Sequence, residues 1–162
     1  LMRRRLVLGA AVSLAGCGFE LKRPPELNFR TIQLTGFPPR SQLVVELKQN
    51  IESGPTTRVV EALKDAQVVL QSLGESREKV VVAQTAANQI REFELRYRFD
   101  FRLRTGSGKE LIPDSEILLK RSLTYTESAA LAKEQEESFL YRAMQSDIVS
   151  QVLRRLSSVR LL

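Results

Sequence analysis

The residues best placed to do chemistry are four arginines. Arg96, Arg98, Arg102 and Arg104 fall at even positions of the stretch 92–104. In an extended strand such positions share one face, about 6.6 Å apart. Guanidinium groups so arranged can meet phosphates, because their planar forks pair with phosphate oxygens two at a time. Glu92, Glu94 and Asp100 share the same face, so the same residues also read, more plainly, as a mixed-charge wet surface that keeps a strand from aggregating. Other candidates are weaker. Glu134, Glu136 and Glu137 could supply paired carboxylates for acid–base work, but on a helix they read first as a solvated face. Gly106-Ser107-Gly108-Lys109 lacks the spacing of a phosphate-binding loop and joins two strands rather than a strand and a helix. The chain has no histidine and one cysteine. Histidine triads, histidine-ligated metals, zinc clusters and an intrachain disulfide are therefore excluded. No catalytic residue and no metal site is expected, and the chain reads as a non-enzyme.

The one cysteine sits in an informative place. Arg3, Arg4 and Arg5 precede an apolar run of about ten residues, too short for a bilayer span of about 20. A basic start, a short apolar segment and small residues before a cut describe a secretory signal peptide, here residues 1–16. Leu14-Ala15-Gly16-Cys17 resembles the lipobox of bacterial lipoproteins. That resemblance implies a covalent lipid on the Cys17 sulfur, cleavage before Cys17 and acylation of the new amino group. Small side chains at Ala15 and Gly16 let the backbone enter the peptidase. Each buried CH₂ contributes about 0.8 kcal/mol, so several acyl chains hold a domain stably at a membrane. Gly18, rather than an aspartate, follows the cysteine. This implies outer-membrane localisation, with the protein lipid-anchored on the periplasmic side. Apart from that lipid no cofactor is expected. Residues 17–28, with Pro24-Pro25, read as the lipidated cysteine and an extended tether.

The elements that must position the arginines follow from patterning. The 162 residues suit one domain able to bury roughly 70% of its unfolded surface. At 43% apolar and 27% charged residues, the composition is globular. Loss of residues 1–16 removes three arginines and lowers the formal charge from +6 to +3, too weak a field to argue for nucleic acid. Phe29 to Leu34 reads as a strand. A helix follows from about Ser41 to Glu52, with Leu43, Val44, Leu47 and Ile51 on its apolar face. Val59 and Val60 read as a short strand edge and 66–73 as a main strand. The alternation over 92–104 is unbroken, with Phe93, Leu95, Tyr97, Phe99, Phe101 and Leu103 opposite the charged set. Such a strand is buried on one face and wet on the other. A turn at 105–109 leads to a partner strand over about 115–126. A last helix, capped by Ser128 and ending near Leu156, carries Phe139, Leu140, Ala143, Met144, Ile148, Val152 and Leu156 as its stripe. The economical arrangement is α+β: two helices on one face of a mostly antiparallel, about four-stranded sheet, as a single domain over 29–162.

With these pieces in view the chain resembles the LPS-assembly lipoprotein family, LptE (RlpB). The resemblance is carried by Cys17-Gly18-Phe19-Glu20-Leu21, by the strand start Arg91-Glu92-Phe93-Glu94-Leu95, and by Lys120-Arg121-Ser122-Leu123-Thr124-Tyr125. It continues through Ala130-Leu131-Ala132-Lys133-Glu134-Gln135-Glu136, Met144-Gln145-Ser146-Asp147 and Leu153-Arg154-Arg155-Leu156. Between Pro38 and Val82 only the pattern matches. The resemblance implies two helices on a four-stranded sheet. It also implies a plug seated inside the outer-membrane barrel LptD, where the pair delivers lipopolysaccharide to the cell surface. The lipoprotein binds lipopolysaccharide and helps the barrel fold, and no reaction is catalysed. The family's lipopolysaccharide-linked lysine falls on Lys133. A second basic position of the family falls in Thr85-Ala86-Ala87-Asn88, where this chain has none, so Arg91 or the pair Arg96 and Arg98 would have to serve. A generic outer-membrane lipoprotein scaffolding another envelope complex, and a lipid-anchored enzyme, remain as alternatives.

Overall fold

In a computed structural model, residues 25–161 of the chain are described. The expected signal peptide, residues 1–16, and Cys17 lie outside them. Five strands and two helices follow in the order β1 (Thr31–Thr35), α1 (Gln42–Glu52), β2 (Arg58–Val60), β3 (Val68–Gln84), β4 (Ile90–Thr105), β5 (Glu110–Thr124) and α2 (Ala130–Ser157). The sheet order is β2-β1-β3-β4-β5. β1 pairs parallel with β2 and β3, while β3, β4 and β5 pair antiparallel. The α+β class and the two-helix layer agree with the sequence reading. The short edge at Val59 and Val60 is the fifth strand.

The three long strands form because β4 offers one fully apolar face. Leu95, Tyr97, Phe99, Phe101 and Leu103 are all completely buried. Phe99 stacks between Phe101 and Phe37, with ring centroids 5.4 and 5.8 Å away. Leu43, Leu47 and Ile51 of α1 join the same core, as do Met144, Ile148, Val152 and Leu156 of α2. Both helices therefore cover one face, and the arginine face of β4 is left to solvent. Ser41 caps α1 by accepting a hydrogen bond from the Val44 amide at 3.3 Å. The turn before α1 needs Gly36. Its φ is +77°, and a Cβ there would stand 2.4 Å from the Ser72 carbonyl oxygen.

Four local expectations change. β3 runs on to Gln84 instead of stopping at Leu73. Its second half, though charged, pairs along β4 as far as Ile90. β5 begins at Glu110 and carries Pro113, which an outermost strand tolerates. Ser128 lies in a 3₁₀ turn, Glu127–Ala129, so α2 starts at Ala130 with no side-chain cap. Finally, the buried stripe of α2 is rotated. Tyr141, Gln145, Val149 and Leu153 face inward beside Met144 and Ile148, whereas Phe139 is 63% exposed and Ala143 is exposed. Spacings of three and four from Tyr141 to Leu156 trace this face, and Phe139 and Ala143 fall off it. The folded body also takes in Leu27, which is buried. Asn28 donates to the Ser157 and Val159 carbonyls at 2.9 Å each. Two residues read as tether thus fasten the entry of the chain to the end of α2.

Candidate functional site

Lys133 closes the first turn of α2, at the end of the sheet where β5 stops. Its side chain is only 19% exposed. The ammonium donates to the Thr124 hydroxyl at 3.0 Å and to Glu136 Oε2 at 2.7 Å. A cation here opposes the helix dipole, and the first amides of α2 have no side-chain acceptor. The Ala130 amide is already bonded to the Glu127 carbonyl and the ammonium to Glu136, so an anion here would meet the positive end of the helix dipole but would have to displace that carboxylate. The nearest strand cation by topology is Arg91. Its carbonyl accepts from the amide of Tyr125, next to Thr124, at 2.8 Å, and its side chain is exposed. The basic position absent from 85–88 belongs to the turn joining β3 to β4.

Arg96 and Arg98 occupy the wet face, as the alternation requires. Both are already paired. Arg96 Nε donates to Glu94 at 2.7 Å, with Glu78 at 4.0 Å. Arg98 bonds Asp100 and Glu116, each at 2.9 Å. The hydrogen bond from Arg96, helped by Lys120, holds the Glu94 carboxyl below its ordinary pKa. The Asp100 hydrogen bond raises Arg98. Register places Lys120 opposite Arg96 and Thr124 opposite Glu92. The Lys133 contact therefore lies about 13 Å along β5 from the Arg96 level, at about 3.3 Å per residue. Among the described residues no hydrogen bond or ion pair joins Lys133 to Arg96 or Arg98. Around Arg96 and Arg98 the strand face is a lattice of compensated charge, and the helix corner is a separate site.

A third cluster escaped the sequence. On the helix side of β3, Glu75 accepts from the Tyr97 phenol and from Ser41 Oγ, both at 2.7 Å. Arg77 Nη2 donates to Tyr97 at 3.1 Å and to Gln145 Oε1 at 2.8 Å. Its guanidinium lies 4.5 Å from the Tyr97 ring centroid. Gln145 in turn donates to Glu46 at 2.6 Å. This chain links α1, β3, β4 and α2. Period-two spacing of Glu75, Arg77 and Lys79 was the available signal, but in a stretch with no assigned element those charges carried no direction. Among the described residues no group of acidic, cysteine or histidine side chains could hold a metal. No helix among them is long and apolar enough to cross a membrane.

Comparison with known proteins agrees with the fold. A family model described as LptE, lipopolysaccharide-assembly, matches residues 29–156. The solution structure of an uncharacterized lipoprotein B from Nitrosomonas europaea is similar, at 33% identity and TM-score 0.74. It covers 87% of this chain and 91% of that one. The rare lipoprotein B of Shewanella oneidensis is similar at 21% identity and TM-score 0.68, over 80% of this chain and 95% of that one. A minor lipoprotein of Acinetobacter baumannii gives 17% and 0.65, over 83% and 97%. These last two speak to the fold. No protein of curated function matches the chain in sequence.

Proposed function

Because the chain belongs to the LptE family of lipopolysaccharide-assembly proteins, we propose that it is an outer-membrane lipoprotein, anchored through a lipid on Cys17 on the periplasmic side. It sits as a plug inside the LptD β-barrel, supports that barrel's assembly and takes part in passing lipopolysaccharide to the cell surface. The observation that carries this reading is the family match across 29–156, nearly the whole folded body. The physics supports it. A plug in a barrel lumen meets polar walls, and the wet face of β4 offers both signs of charge in a rigid lattice. Arg96 and Arg98 serve there as barrel-facing or ligand-facing cations. They reach a phosphate only by giving up Asp100, Glu116 or Glu94. Lys133 is the primary phosphate contact, with Arg91 the cation beside it. The protein binds and positions, and it catalyses no reaction.

Co-purification of the full chain in mild detergent, with identification of what comes with it, tests the reading. A large outer-membrane β-barrel is expected. A different envelope complex with no barrel would replace the plug by a general scaffolding lipoprotein.

A further inference from the structure

The geometry points to a second anion site on this protein, at the opposite end of the sheet from Lys133, built around Arg104 and suited to a phosphomonoester carried on a sugar-sized body.

The argument begins with charge balance along β4. Arg96, Arg98 and Arg102 each have a carboxylate partner. Arg104 has none within 4.0 Å among the described residues. Its one polar partner there is the side-chain oxygen of Gln71, at 2.7 Å. That same oxygen also accepts from Arg102 Nε at 3.2 Å. One neutral amide thus holds two cations side by side; the carboxylates nearby are Asp114, 3.4 Å from Arg102, and Glu110, opposite Arg104 in the strand register but making no ion pair with it. A guanidinium has five N–H donors, and most of those on Arg104 are unused.

Arg104 opens onto a cavity of about 400 Å³ between the β4–β5 turn and the ends of β1 and β3. That volume falls in the range of small-molecule sites and exceeds what a bare phosphate fills. Thr35 and the hydroxyl pair Thr105 and Ser107, 2.9 Å apart, supply further polar groups. Val69 and the 55%-exposed Leu63 supply an apolar wall. The wall is fixed. The Gly106 amide donates to the Gln67 carbonyl at 2.9 Å, and a Cβ on Gly106 would stand 2.3 Å from the Ala66 carbonyl oxygen. An arginine fork beside hydroxyls selects phosphate, and the apolar wall selects a body larger than the ion. The site is independent of the helix corner. Arg104 lies about 40 Å along β4 from Glu92, the partner of Thr124, at about 3.3 Å per residue.

The test uses the full chain in a neutral detergent and glucose 1-phosphate as probe, read by amide NMR shifts of residues 105–108. Saturable shifts at millimolar probe are expected. Arg104→Gln should weaken binding about tenfold, as for loss of one charge-assisted contact. Ser107→Ala should weaken it less. Lys48→Gln, an equal charge loss on the exposed face of α1, should leave it unchanged. Glucose 1-phosphate could stand for a free sugar phosphate or for a phosphorylated lipid headgroup. Displacement by vesicles containing phosphatidic acid, but not by pure phosphatidylcholine vesicles, assigns the lipid source. Displacement by neither assigns the soluble one, and both support the site. Absence of shifts in 105–108, equal loss in Lys48→Gln, or inorganic phosphate binding as tightly as the sugar phosphate would overturn the proposal.

Discussion

The phenol of Tyr97 donates to Glu75 at 2.7 Å, and the other oxygen of that carboxylate takes the Ser41 hydroxyl at the same distance. One side chain on β3 therefore ties the cap of α1 to the middle of β4. Tyr97 is fully buried and Ser41 nearly so, so neither hydroxyl has water to fall back on. Glu75→Ala removes both acceptors. It should cost about 1–3 kcal/mol in a urea titration, the penalty for leaving buried donors unmade. Glu75→Gln keeps one acceptor and turns the other oxygen into an NH₂ donor, so it should recover only part of that loss. Equal losses in the two variants would place the effect elsewhere.

The same contact sets an alkaline limit. Burial pushes the Tyr97 phenol upward, and Glu75 adds to this while Arg77 opposes it. The unfolded chain releases this proton near pH 10, and the folded one only above that. The folded state then binds more protons, so this contribution is fully present below about pH 10 and is lost as pH rises toward the folded value. Burial raises Tyr141 in the same direction. Denaturant titrations at successive pH values should show stability falling above pH 10. Tyr97→Phe, although weaker overall, should fall less steeply. Parallel slopes would remove Tyr97 from the effect.

Phe99 anchors the aromatic stack of the core with no exposed surface. Phe99→Ala should lower stability by about 3–5 kcal/mol, the range for truncating a buried Phe. An unchanged denaturation midpoint would put this face outside the core.

Phe99 also shows what was legible. Because β4 is buried on one side and wet on the other, its period of two is written in residue type, and both its core face and its arginine face could be read directly. β3 beyond Leu73 could not. Glu75, Arg77 and Lys79 point to the helix side yet are charged, because they reach past the sheet to Tyr97, Gln145 and Glu137. Their strand geometry comes from pairing with β4, which is not encoded locally. On α2, the expected apolar stripe took in Phe139 and left out Gln145. Contacts to Arg77 and Glu46 bury Gln145. Lys133 was found by resemblance alone. Its two partners, Thr124 and Glu136, come from the fold.

The anchor has its own test. If Leu14-Ala15-Gly16-Cys17 directs lipidation and cleavage as proposed, Cys17→Ser should accumulate an uncut precursor. That precursor should fail to incorporate labelled palmitate. Normal processing after Gly16 with continued membrane retention would refute lipidation at Cys17.

Lys133 makes the sharpest case for the ligand. It already has a partner in Glu136, so a lipopolysaccharide phosphate must displace a carboxylate that lies 2.7 Å from the ammonium and is itself 45% exposed. The competition is uneven. A phosphate offers more charge, and it also meets the positive end of the α2 dipole. Two substitutions should then act in opposite directions. Lys133→Glu should weaken lipopolysaccharide binding about tenfold or more, from loss of a charge-assisted contact and gain of repulsion. Glu136→Gln should strengthen it about two- to fivefold, the worth of an exposed ion pair no longer to be broken. Both should leave thermal unfolding nearly in place, since the pair contributes at most about 1 kcal/mol. Arg96→Glu combined with Arg98→Glu tests the strand face in the same binding assay. Weakening in that variant and none in Lys133→Glu would move the ligand to the sheet. A Glu136→Gln variant that binds more weakly than the wild type would show that the carboxylate organises the site rather than competing for it.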